Sequence, residues 1–264
     1  MSSNGLSRRR MLTHAAGGAV AVAAAQAVGG SAAAQQRAAS PATFVLVPGA
    51  WHGAWCYRRV ADLLMARGHK VHALTLTGLA DRSHLASDAV NMTTHVKDVV
   101  NFVNWEDLNG FVLVGHSYGG LVVTGAAEEL APKIASIVYL DAFIPEDGQS
   151  MGDIIKRPLP KTGFAKPFPA KAFKVNAKDE AWVDAKMTPQ PINTYLQKMT
   201  ITGAYKKIPK KAYIRATGFN QPLFQAHYDA LKQQAEWKTY AVDCGHDVMV
   251  DKPEELAKIL EQSA

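Results

Sequence analysis

The chain has 264 residues, 48% of them hydrophobic, and a formal charge of +6. That length supports one sizeable core and falls short of an obvious pair of domains. The positive surplus is small, and half of it belongs to Arg8, Arg9 and Arg10, which argues against nucleic acid as a partner because phosphate-binding proteins concentrate charge on one face.

The segment Ser7 to Thr13 reads SRRRMLT and leads into a weakly apolar Ala/Gly/Val run from Ala15 to Gly30, then Ala32, Ala33 and Ala34 before Gln35. A positive region, an apolar region and a small-residue cleavage site in this order predict an export signal, with paired arginines pointing to the twin-arginine route. Residues 1–34 are therefore expected to be removed, leaving 35–264 as a periplasmic or secreted protein. Ala and Gly are too weakly apolar for a stable span and Gln26 interrupts the run, so no stable membrane insertion is expected after cleavage.

From Thr43 apolar runs of strand length alternate with segments of helical spacing, the pattern of a doubly wound, mostly parallel α/β sheet. In chain order the spacing predicts strand 44–47, helix 57–67, strand 71–76, helix 93–105, strand 111–114, helix 120–130 and strand 134–140. After an interruption come strand 212–216, helix 223–234, strand 237–242 and a closing amphipathic helix 253–262 with Leu256, Ile259 and Leu260 on its apolar stripe. Residues 146–210 break the alternation with Pro158, Pro160, Pro167, Pro169, Pro189 and Pro191 and a lysine-rich stretch from Lys156 to Lys178. Lying between the strand that ends at Asp141 and the one at Ala212, this insertion is placed to form a lid at the carboxyl edge of the sheet. Its lysines read as a solvated face. Cys56 and Cys244 are expected to be separate thiols, Cys56 sitting within an apolar helix pattern.

Val112 to Gly120 reads VLVGHSYGG. Gly115, Ser117 and Gly119 fit G-x-S-x-G, a sharp strand-to-helix turn that holds the serine in a strained conformation, and the apolar strand before it and small-residue helix after it supply the required context. A serine hydroxyl is a poor nucleophile at neutral pH, so Ser117 needs a base and an acid that holds the base in the right tautomer. His246 follows the last strand on the short loop DCGHD and is the histidine placed for the base. For the acid, TGFNQPLFQAHY after strand 212–216 offers no carboxylate before Asp229, whereas Asp141 ends the strand IVYLD and keeps the chain order Ser, Asp, His. Asp229 and the lid acids Asp179, Glu180 and Asp184 are the alternatives to Asp141. The backbone N–H groups of Tyr118 and of Ala50, in PGAWHGAW, are expected to form the oxyanion hole, with Trp51, His52 and Trp55 lining the pocket or packing beneath the loop.

FVLVPGAWHGAWCY, LTLTGLADRSHL, THVKDVVNFV, VLVGHSYGG, VYLDAFIPEDGQS, AWVDAKMTPQP and CGHDVMVDKPEEL together resemble bacterial esterase-like members of the α/β-hydrolase superfamily, similar in turn to the plant methylesterase and hydroxynitrile lyase group. The resemblance covers Thr43 to the C-terminus. It implies an eight-stranded core with a lid, no cofactor, and hydrolysis of a carboxylic ester through an acyl-serine on Ser117 with His246 as base and the Ala50 and Tyr118 amides as oxyanion donors. This chain departs from the plant pattern at Pro48, where the relatives carry His, and at Phe219, where they carry their acid. Hydroxynitrile lyases place a lysine after the catalytic histidine, where this chain has Asp247, so the lyase reading falls. The expected function is a serine hydrolase acting on a small, mostly apolar ester or lactone. A carbon–carbon or amide bond hydrolase with the same triad and a non-catalytic small-molecule binding protein are the competing readings, and fold alone does not choose among them.

Overall fold

Six apolar runs become the strands of one parallel sheet in the computed structural model, which describes residues 40–264. They are β1 (Thr43–Val47), β2 (Lys70–Ala73), β3 (Phe111–His116), β4 (Ile134–Leu140), β7 (Lys210–Ala216) and β8 (Trp237–Val242), in the order β2-β1-β3-β4-β7-β8. The central strands are written as unbroken apolar runs because helices cover the sheet and bury both faces, and Phe44, Val45, Leu46 and Val47 have no exposed surface. The outermost strand β8 keeps partly exposed residues along its length.

Helices α1 (Arg58–Ala66), α2 (Met92–Trp105), α3 (Gly119–Leu130), α7 (Pro222–Leu231) and α9 (Pro253–Ser263) flank the sheet, and α1 packs against α9 and α2 against α3. The short α8 (Val248–Asp251) joins the last loop to α9. From β1 the chain moves outward to β2, and β3 then pairs on the other side of β1. At that reversal the loops after β1 and β3 diverge and open a crevice at the carboxyl edge, where ligands bind in open α/β sheets.

Two details differ from the sequence-based expectation. The resemblance implies eight sheet strands, whereas the described sheet has six, matching the six apolar runs of strand length after Thr43. β2 ends at Ala73, short of Leu76, because after Leu74 N–H donates to the Leu46 carbonyl (2.9 Å) the chain turns away from the sheet.

The insertion carries its own small elements: α4 (Met151–Ile155), an antiparallel pair β5 (Phe164–Ala165) and β6 (Gln190–Pro191), α5 (Glu180–Lys186) and α6 (Asn193–Leu196). Ser150 and Asp153 form a capping box at the start of α4. Asp179 receives two hydrogen bonds from Arg59 of α1, at 2.8 and 2.7 Å. That guanidinium holds its carboxyl down to about 2. Among the described residues no helix is long and apolar enough to cross a membrane. The predicted export signal, residues 1–34, lies outside the described residues.

α3 begins close against the end of β1. A Cβ on Gly119 would stand 2.6 Å from the Pro48 carbonyl oxygen and 2.9 Å from that of Val47, both backbone atoms with no freedom to withdraw. Gly119→Ala is therefore expected to destabilise the fold by about 1–3 kcal/mol, read as a lower urea midpoint at unchanged slope. An unchanged midpoint would show that this approach is not tight.

Candidate active site

β3 ends at His116 and the backbone reverses at Ser117, whose φ of 51° lies in the left-handed region that L-residues avoid. Trp51, on the loop after β1, is held at φ 66°, and Asp141, after β4, at φ 41°. Three strained residues from three different loops thus converge on one edge of the sheet, where surrounding structure must hold them.

For Trp51 the holding groups come from the insertion. Its backbone N–H donates to Gln190 Oε1 (3.0 Å), its indole N–H donates to the Ala165 carbonyl (3.0 Å), and its carbonyl accepts from Thr188 N–H (3.0 Å). Gln190 is fully buried and its amide nitrogen donates to Thr194. Among the described residues no protein acceptor takes the amides of Ala50 or Tyr118, which stand beside the same cavity as Ser117. The Tyr118 side chain is pinned away from it, with its hydroxyl 2.9 Å from His95 Nδ1. His95 Nε2–H in turn donates to the Thr77 carbonyl (2.9 Å), and burial pushes this imidazole down to about 4.

Asp141 has no solvent exposure, and donors close around it. Oδ2 accepts from His246 Nδ1 (2.6 Å), while Oδ1 accepts from Arg215 Nη1 (2.6 Å) and from the Ala216 amide (3.1 Å). Arg215 also donates to the carbonyls of Ala216 and Phe219, so its buried charge is spread over a carboxylate and the loop after β7. A carboxylate acceptor fixes the proton of His246 on Nδ1 and leaves Nε2 as the basic nitrogen. Phe219, with ring centroids 4.5 Å apart, and Phe224, at 5.6 Å, stack on the imidazole. No hydrogen bond joins Ser117 to His246 among the described residues, and the two line one cavity. Such bonds are often long before substrate binds. The alternative acids lie elsewhere: Asp229 accepts from Gln225, Asp179 is held by Arg59, Asp184 accepts from the Ala170 amide, and Glu180 opens α5.

A second buried carboxylate lies directly behind the first site. Asp247 Oδ2 meets His52 Nε2 at 3.1 Å, and His52 Nδ1–H donates to the Ala50 carbonyl at 2.7 Å. Burial alone would lower the His52 imidazole and raise the Asp247 carboxyl. Their mutual charge and hydrogen bond prevail in both, so His52 is raised above the ordinary imidazole value and Asp247 held well below the carboxylate range. His116 is pushed the other way by burial and by the neighbouring His246, well below the usual range, and its neutral ring donates from Nε2 to the His246 carbonyl (3.1 Å). The Ala50 loop, the turn at Ser117 and the His246 loop are thereby joined by one buried polar chain.

The cavity above these groups has a volume of about 430 Å³ and is mainly apolar, with walls that include Phe143, Ile154, Phe168, Tyr195, Leu223 and Phe224. Of the three pocket residues expected from sequence, Trp51 lines it. His52 does not, because both its nitrogens are engaged, and Trp55 is stacked on His52 (5.0 Å) and set edge-on to Trp182 (5.0 Å). Among the described residues no cluster of His, Cys, Asp or Glu is arranged to hold a metal ion. Cys56 and Cys244 are free thiols, Cys56 buried. Arg215, Gln190 and Asp247 escape a sequence reading aimed at nucleophiles and bases, although an arginine closing the apolar run AYIRA is a visible anomaly.

Ser117 at a strand-to-helix elbow, a histidine bonded to a buried carboxylate and a cavity at the topological reversal stand together at the carboxyl edge of the sheet. The chain belongs to the alpha/beta hydrolase family, whose sequence profile matches residues 44–259, and it is an esterase-like member. It is 40% identical over 237 residues to the carbendazim hydrolyzing esterase of Nocardioides sp. (strain SG-4G), covering 83% of this chain and 98% of that protein. With Esterase PIR7B of Oryza sativa subsp. japonica it shares 27% identity over 258 residues, covering 84% and 96% of the two chains. The fold matches an extracellular alpha/beta-hydrolase from a Paenibacillus species with a TM-score of 0.73 at 24% identity, covering 85% of this chain and 99% of that one.

The His52–Asp247 pair generates a pH-dependent prediction. A raised imidazole stabilises the fold fully below the unfolded value of about 6.5, and that contribution is lost as pH rises through the folded value. The melting temperature of the native chain should therefore exceed that of His52→Gln most at mildly acidic pH, with the gap narrowing from about pH 6.5 upward. A gap that widens with pH would contradict an ion pair here.

Proposed function

We propose that this chain hydrolyses a small, mostly apolar carboxylic ester or lactone through an acyl-serine intermediate. The observation that carries the reading is the 2.6 Å bond from His246 Nδ1 to the buried Asp141, set beside Ser117 in an apolar cavity. His246 Nε2 takes the Ser117 proton as Oγ attacks the ester carbonyl, and the oxyanion that forms accepts hydrogen bonds from the Ala50 and Tyr118 amides. The imidazolium returns the proton to the departing alkoxide. A water molecule deprotonated by His246 then attacks the acyl carbon, and the acid leaves as Ser117 regains its proton. Asp141 compensates the imidazolium charge and is itself paired with Arg215.

Residues 146–210 act as the lid, supplying Met151, Ile155, Phe168, Phe173 and Tyr195 to the cavity. The relative named as a carbendazim hydrolyzing esterase supports a small-molecule substrate. Export by the twin-arginine route, inferred from the arginines at 8–10 and the apolar run behind them, would bring the mature enzyme into the periplasm or medium.

With 4-nitrophenyl butyrate as substrate, Ser117→Ala should abolish turnover. Asp141→Asn should lower kcat by roughly 10³ to 10⁴ while circular dichroism still reports the folded sheet. A folded Asp141→Asn variant with near-native kcat would remove Asp141 from the mechanism. Activity that survives Ser117→Ala would remove the acyl-serine, and a folded native chain inactive on every ester tried would favour a binding protein.

A further inference from the structure

Among its lining residues the apolar cavity carries one arginine and no lysine or carboxylate. Arg157, two residues past α4, lines it, and its guanidinium lies 4.8 Å over the ring of Phe168, another wall residue. Arginine brings five donors in a planar fork. Among the described residues no carboxylate, carbonyl or side-chain oxygen accepts from Arg157, in contrast to Arg59 and Arg215, each of which has an acid partner. The surrounding stretch offers none either: residues 156–178 contain seven lysines and arginines and no aspartate or glutamate, and the lid acid nearest before it, Asp153, is engaged in the capping box of α4. Arg157 is exposed to solvent, and a second polar group in the same lining is buried. The Tyr195 hydroxyl has no hydrogen-bond partner; burial pushes it up, and the Arg157 charge partly offsets that.

A cation preoriented on an aromatic face, in a segment free of competing acids and at the wall of the cavity that holds Ser117, is built to receive an anion. We propose that Arg157 forms an anion subsite, and that the substrates are esters whose apolar body ends in a carboxylate. The body fills the aromatic and aliphatic walls, the ester carbonyl sits at Ser117, and the distal carboxylate takes the Arg157 fork. The lid lysines raise the local potential and draw such substrates in. This inference rests on the ester-hydrolase reading and specifies its substrate class.

The test compares 4-nitrophenyl half-esters of glutarate, adipate and suberate with the neutral 4-nitrophenyl esters in which a methyl group replaces the free carboxylate. The ratio of kcat/KM, anionic over neutral, is measured for the native chain, Arg157→Gln, Arg157→Lys and, as a control outside the cavity wall, Lys161→Gln. For at least one chain length Arg157→Gln should lower that ratio about tenfold, mainly through KM, with Arg157→Lys retaining part of it and added salt narrowing the native preference. A ratio that Arg157→Gln leaves unchanged at every length, or that Lys161→Gln lowers equally, overturns the subsite. Serine-dependent turnover of the neutral esters in that case leaves the hydrolase reading standing. If no ester is turned over, the hydrolase reading fails, and binding of monomethyl adipate against methyl hexanoate to Ser117→Ala, followed by tryptophan fluorescence, decides the subsite alone: an Arg157-dependent preference for the anion supports it and equal binding overturns it.

Discussion

The buried Asp141 carboxylate, shared between Arg215 and His246, is the interaction on which the site depends. β4 and β7 pair in parallel with Leu140 opposite Ile214, and this register brings the residue after β4 beside the arginine near the end of β7. Burying a carboxylate and a guanidinium is costly unless each finds partners, and here Asp141 has three donors and Arg215 three acceptors. Each charge offsets part of the cost of burying the other. The carboxylate at the end of β4 therefore comes with its own counterion, and Phe219, on the loop after β7, stacks on the imidazole that the carboxylate holds.

The same logic extends through the second carboxylate. Asp247 follows His246 in sequence, yet its side chain pairs with His52 and does not line the cavity, and His52 donates to the carbonyl of Ala50, whose own amide is the proposed oxyanion donor. On its outer side that loop is fastened to the insertion through Trp51 and Gln190. A loop carrying a bulky residue at positive φ is thus clamped from below by the His246 loop and from above by the lid segment. Rigid support from both sides is what a preorganised oxyanion site requires, because donors must already point at the charge when it develops.

Much of the fold was legible in the sequence because the buried parallel strands are apolar and the helices amphipathic, and each expected strand and helix of the core lies within a few residues of its observed place. The short elements of the insertion were not legible. They are fixed by partners far away in the chain, as when Asp184 receives the Ala170 amide or Arg59 grips Asp179, and carry no periodicity of their own. Within the site, the elbow and the His246 loop announce themselves by local pattern, and Asp141 follows from strand position and chain order. The supporting groups do not: His52 meets Asp247 across 195 residues and Trp51 meets Gln190 across 139, and nothing in either local segment encodes the other.

The central claim is that Ser117 becomes acylated during turnover. Its most direct test is rapid acid quench of the native chain during hydrolysis of a 4-nitrophenyl ester, followed by intact-mass measurement and peptide mapping. The account predicts an acyl adduct of the expected mass on the peptide containing Ser117, formed with a burst of nitrophenol and lost at the rate of turnover. Turnover with no adduct, or an adduct on any other residue, would contradict it.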